Sequence, residues 1–212
     1  MLRPFARPVP LALALAVATF IPVTIALVRS VQVPLGLWSE DSARLAVAPL
    51  AWGLHAAAGA TFGLAGPVQF IRALRGRFGR GHRVAGWLFL TAGLGLGLTG
   101  LVMLAQVEAP STPVISAARG LFGAALIVAL WRAVAAIRVG DLVRHRAWAI
   151  RAYGIGMGSG TVALPFLPFV LVTGRPPLGL AADLVFVLWW AANIALADAI
   201  ARRLSNPARV RA

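Results

Sequence analysis

Charged residues in this chain are confined to a few clusters, and the stretches between them stay apolar for about twenty residues or more. That is the length an α-helix needs to cross a hydrocarbon layer about 30 Å thick. Six such segments can be marked: Val9 to Val28, Leu45 to Ile71, Val84 to Gln106, Val114 to Ile137, Trp148 to Thr173, and Leu180 to Ala201. Unpaired backbone groups are costly in lipid, so each segment is expected to be a helix. Pro165 and Pro168 are expected to kink the fifth segment rather than end it. With 60% hydrophobic and 12% charged residues among 212, the chain has more apolar surface than one water-soluble core could hide. The expected class is all-α integral membrane, with six spans.

All twenty basic residues are arginines, and their placement sets an orientation. Sixteen fall before the first segment, in the second and fourth connections, and after the last; four (Arg29, Arg44, Arg119 and Arg175) fall on the other side. The positive-inside bias puts the larger set, and both termini, in the cytoplasm of a bacterial cell. Arg3 and Arg7 ahead of the first run also fit a secretory signal. That run is long, lacks a small-residue cleavage site and is followed by Arg29, so an uncleaved span is the better reading. The net charge of +14 comes with no aromatic-and-basic recognition module, so it reads as topology and not as nucleic-acid binding. The absence of cysteine excludes disulfides, thiolate metal sites and thiol catalysis.

Two connections on the cytoplasmic side look related. Arg75, six residues, then His82-Arg83 recurs 63 residues later as Arg138, six residues, then His145-Arg146. This suggests two parallel hairpins, spans two with three and four with five, about an approximate two-fold axis along the membrane normal. The chain then divides into a first span and outer loop (1–44), a four-helix core (45–173), and a last span with a basic tail (174–212).

The three histidines are the natural candidates for chemistry, because an ionisable group in a membrane usually marks a site or a buried partner. His55 lies inside the second span, where His55, Gly59, Phe62, Gly66 and Gln69 share one helical face expected to point inward. Gly86, Gly93, Gly97 and Gly100 make a similar stripe on the third span, read as close helix packing or as a groove for a flat cofactor or lipid. Gly154, Gly156, Gly158 and Gly160 alternate, so they cannot all face one neighbour. Gly140-Asp141 reads as a helix stop and an N-cap, placing His145 in a first turn. His82 and His145 would meet anionic lipid headgroups, or would ligate haem iron between facing helices. A three-histidine zinc site is the weaker option, since His55 should lie far above the other two. Asp198 can pair with Arg202 one turn on.

His55, the run Gly66-Pro67-Val68-Gln69-Phe70, the motif His82-Arg83-Val84-Ala85-Gly86, and Asp141 followed by His145-Arg146-Ala147-Trp148-Ala149-Ile150-Arg151 together resemble domain-of-unknown-function family 2306 of bacterial predicted membrane proteins. The resemblance runs from about Leu54 past Tyr153. One departure is Ala149, where the family pattern carries methionine. The resemblance implies a polytopic membrane protein of no established activity. It singles out His55, Gln69, His82, Arg83, His145, Arg146, Trp148 and Arg151 as site residues.

Three classes of function follow. A redox protein would hold haem b, with His82 and His145 as metal ligands and arginines on the propionates. A membrane partner or lipid-binding subunit would use the cytoplasmic arginines on anionic headgroups, as a monomer or homo-oligomer. A small transporter or permease would use the glycine-lined interior, with His55 as a proton-responsive group. Catalytic residues are not expected.

Overall fold

The computed structural model describes residues 8–37, 40–70, 79–107, 112–175 and 177–205. The turn bearing Arg72, Arg75 and Arg77, the terminal arginines Arg3, Arg7, Arg209 and Arg211, and Glu108 lie outside them. Every assigned element among the described residues is helical: α1 (Pro8–Gln32), a 3-10 segment (Glu40–Val47), α2 (Pro49–Phe70), α3 (Gly79–Gln106), α4 (Pro113–Arg138), α5 (Leu142–Gly158), a 3-10 turn (Gly160–Val162), α6 (Ala163–Thr173) and α7 (Gly179–Ser205).

Local chemistry fixes several ends. Pro113 opens α4 where no N–H partner is needed, and Thr112 caps it, its hydroxyl accepting from Val114 N. Asp183 of α7 accepts from both the backbone N and the hydroxyl of Thr112, at 3.0 and 2.6 Å, which ties the two helices together. The α4–α5 turn follows the sequence reading. Gly140 takes φ +75°, a left-handed value at no steric cost, and Asp141 caps α5 by accepting from Arg144 N at 2.9 Å.

Among the described residues α3, α4 and the Gly179–Arg203 part of α7 are each long and apolar enough to cross a membrane. The pair α5 and α6 qualifies together as one span bent by 50°, giving three or four in all. α2 is diluted by glycines and His55, and α1 contributes a shorter apolar helix, Ala16–Gln32.

α1 with α2, α2 with α3, α3 with α4, and α5 with α7 pack antiparallel, as their meeting points show. Gly53 and Gly63 of α2 lie on Val33, just after α1, and Val23 of α1; His55, Phe62 and Gln69 of α2 meet Thr99, Gly93 and Gly86 of α3. Gly93 and Gly97 of α3 also meet Leu130 and Ile127 of α4, while Gly154 and Gly158 of α5 meet Ala197 and Trp190 of α7. α7 also returns against α4, and α5 reaches both α2 and α3. Alanines and glycines fill the interior, while Leu98, Leu121, Val128, Leu188 and Leu196 point outward. This inverts a soluble bundle and suits a surface bathed in lipid, where close backbone approach replaces hydrophobic burial as the packing force.

The bend between α5 and α6 sits at Ser159–Val162, one turn before Pro165. Proline acts on the carbonyl four residues earlier, here Thr161, so the break falls ahead of the ring. Side chains restore the interrupted bonding. Thr161 Oγ1 donates to the Met157 carbonyl at 2.9 Å and accepts from Trp189 Nε1 at 3.0 Å, while Trp190 Nε1 donates to the Ile155 carbonyl at 2.6 Å.

Candidate functional site

Chemistry-bearing side chains gather at two levels of the bundle. At the lower end, where α3 and α5 begin, His82 and His145 each stand in a first helical turn. His145 Nδ1 lies 2.9 Å from the Ala133 carbonyl of α4. A carbonyl only accepts, so Nδ1 carries a proton and Nε2 is the nitrogen left for another partner. Gln69, near the end of α2, rests against Gly86: a Cβ there would lie 3.5 Å from its Oε1. Its Nε2 is buried with no hydrogen-bond partner.

Two guanidinium groups, of Arg132 and Arg151, stand over the Trp148 ring at 5.0 and 4.8 Å from its centroid. Cations favour that position over an indole face. Arg151 continues to Asp198 of α7 at 2.8 Å, and Asp198 also holds Arg202. The expected Asp198–Arg202 pair is thus part of a larger network that joins α5 to α7. Arg83 and Arg146 are exposed near the starts of α3 and α5.

Above this level lies a layer of rings. Phe62 and Phe89 stack with centroids 4.5 Å apart, and Tyr153 packs against both, at 5.7 and 6.3 Å, and against Phe70 at 5.8 Å. Phe62, Leu130 and Ala152 are essentially inaccessible, and with Leu126, Ala129 and Met157 they make the main core.

Above the rings the helices part around a cavity of about 260 Å³. Its wall comes from α2 (Trp52, His55), α3 (Gly97, Gly100, Met103), α4 (Ser116, Arg119, Gly123), α5 (Ile155, Gly156) and α7 (Phe186, Trp190), with Leu45 and Ser159 from the connections. Arg119 stands over the Phe186 ring at 5.7 Å. An apolar hollow with a few convergent polar groups is the usual form of a small-molecule site.

The eight residues singled out in the sequence therefore do not form one constellation. Seven stand at the lower end, while His55 lies fourteen residues from Gln69 on α2, about 20 Å higher at the rise of an α-helix. Among the described residues no group of three or more histidine or acidic side chains could hold a metal ion. The inward face of α2 is as the spacing implies, with His55, Gly59, Phe62 and Gln69 all against α3. Sequence reasoning missed Trp52, Ser116, Ser159 and above all Arg119, which counted only as a topological charge. The available signal was its position, seven residues into an apolar run where a cation is costly.

A family model described as a predicted membrane protein, DUF2306, matches residues 53–201. No curated protein and no solved structure matches the chain.

Proposed function

Because the chain belongs to the DUF2306 family of predicted membrane proteins, we propose that it crosses the bacterial cytoplasmic membrane six times and holds a small, largely apolar molecule in the upper cavity. The antiparallel alternation supports the six-span topology, since α1 and α2 continue the up-and-down order of the other helices. Trp87 and Trp131, 67% and 65% exposed, lie near the lower ends of α3 and α4, where tryptophans girdle a membrane interface. The arginines below them then face the cytoplasm and anionic headgroups. The hairpins α2–α3 and α4–α5 form the quasi-symmetric core that the recurring Arg and His-Arg pattern suggests.

The cavity is the observation that carries the binding role. Five helices contribute to it, and polar residues (His55, Arg119, Ser116 and Ser159) line an otherwise apolar space. The test uses Trp52 and Trp190 as reporters in the wall. 8-Bromo-1-octanol should quench part of the tryptophan emission saturably in the wild-type protein and lose that saturable component in Ser116→Phe, which fills the space. Equal, unsaturable quenching in both proteins sinks the binding role.

A second reading, haem b on His82 and His145 with Arg83 and Arg146 toward the propionates, is favoured by one contact. The His145 Nδ1–H donated to a backbone carbonyl is the arrangement that orients a ligating imidazole and fixes its tautomer. Protein expressed with haem and reduced by dithionite should then show an α-band, lost in both His82→Ala and His145→Ala; a colourless folded protein removes this reading. A transport role is the least supported, because a path through the bundle has to pass the ring layer of Phe62, Phe89 and Tyr153.

A further inference from the structure

The upper cavity carries enough polar detail to name the head group of its occupant, an inference that rests on the binding role proposed above. Trp52 and His55 stand three residues apart on α2, both line the cavity, and their rings stack with centroids 6.2 Å apart and planes 20° apart. The indole N–H of Trp52 is buried with no partner and has no surface open to the cavity. His55 Nδ1 lies 3.1 Å from Thr99 Oγ1. The single hydroxyl proton of Thr99 goes to the Gly95 carbonyl at 2.6 Å, so the imidazole must be the donor to Thr99. His55 Nε2 therefore keeps a lone pair. The α2 wall thus offers the cavity one acceptor, the lone pair of His55 Nε2.

We infer that the cavity takes an uncharged amphiphile with a hydroxyl head, an alcohol or a phenol, whose proton is donated to His55 Nε2. An ether has no proton to give. A carboxylate brings charge but no proton toward the His55 lone pair. At interior packing density a cavity of about 260 Å³ holds a body of roughly ten non-hydrogen atoms. Gly97, Gly100 and Gly123 give that body a smooth wall without side chains.

Three probes of matched size test this by displacing 8-bromo-1-octanol from the full-length protein: 1-octanol, methyl heptyl ether and octanoate. In the wild-type protein 1-octanol should bind about tenfold tighter than the ether, the discrimination expected when a buried polar group is left unpaired. His55→Leu should weaken 1-octanol to the level of the ether and leave binding of the ether unchanged. Equal binding of alcohol and ether to the wild-type protein, a comparison that needs no variant, overturns the inference. So does a preference for octanoate that disappears in Arg119→Met, since the head group would then be an anion. If none of the three displaces the probe, the binding role itself fails, an outcome distinct from the other two.

Discussion

At position 158 the absence of a side chain decides how closely α5 can lie against α7. A Cβ there would fall 1.9 Å from Trp190 Cδ1, and the same indole donates to the Ile155 carbonyl, so the ring has no room to retreat. Gly158→Ala should lower stability by ~1–3 kcal/mol, the usual cost of overpacking, and thermal unfolding in detergent would read it. An unchanged midpoint would mean that α5 and α7 are not in contact. The neighbouring glycines serve other partners: Gly156 faces Phe62 of α2 and Gly160 faces Pro22 of α1. Their alternation already implied more than one neighbour, but which helices those were depends on contacts distant in the chain. Trp52 shows the same limit. Nothing in its local sequence says that its N–H will be buried without an acceptor, because that depends on what α3 and α4 fail to supply.

Among the elements, the bent fifth segment was legible in outline from two prolines and a run of glycines. Its exact site was less so, because proline disrupts the turn ahead of it and glycines select among several possible break points. The structure places the break where Thr161 can link the Met157 carbonyl to Trp189. Thr161→Val keeps the shape but removes both bonds, leaving a buried carbonyl and an indole N–H without that hydroxyl. It should cost ~1–3 kcal/mol by the penalty for unsatisfied polar groups. Hydrogen exchange should then rise selectively around 157–163; exchange that stays as slow as in the wild type would show that the hydroxyl does not hold the bend. The lower connection between α4 and α5 was fully legible, since a left-handed glycine and an aspartate cap are local devices whose partners lie within a few residues.

For the whole molecule, the proposed orientation can be read by chemistry that the native chain does not interfere with, because it has no cysteine. Val139→Cys in the α4–α5 turn and Leu178→Cys before α7 introduce thiols at sites 78% and 80% exposed. A membrane-impermeant maleimide should label position 178 in right-side-out vesicles and position 139 only in inverted ones; the reverse pattern would overturn the topology. That proposed orientation rests on the arginine distribution, since charge placement follows the membrane and not the tertiary fold. The height of His55 above His82 and His145 was readable from the helical rise, but the cavity at its level was not, because spacing along a helix gives height but not which heights open into a cavity.

The ring layer of Phe62, Phe89 and Tyr153 has one more consequence. A bacterial inner membrane stores energy as a proton gradient, and any polar passage through it is a short circuit. With His55 and its hydroxyl neighbours above the rings, and the histidines, glutamine and arginines below, the protein has polar groups over much of the membrane depth yet interrupts them with a dry gap. Phe62→Gly should therefore raise proton flux in liposomes energised with a pH step, while Leu121→Gly on the outer surface should not. If the chain crosses such a membrane as proposed, the three rings are what would keep it sealed around a protein that is polar on both sides of them.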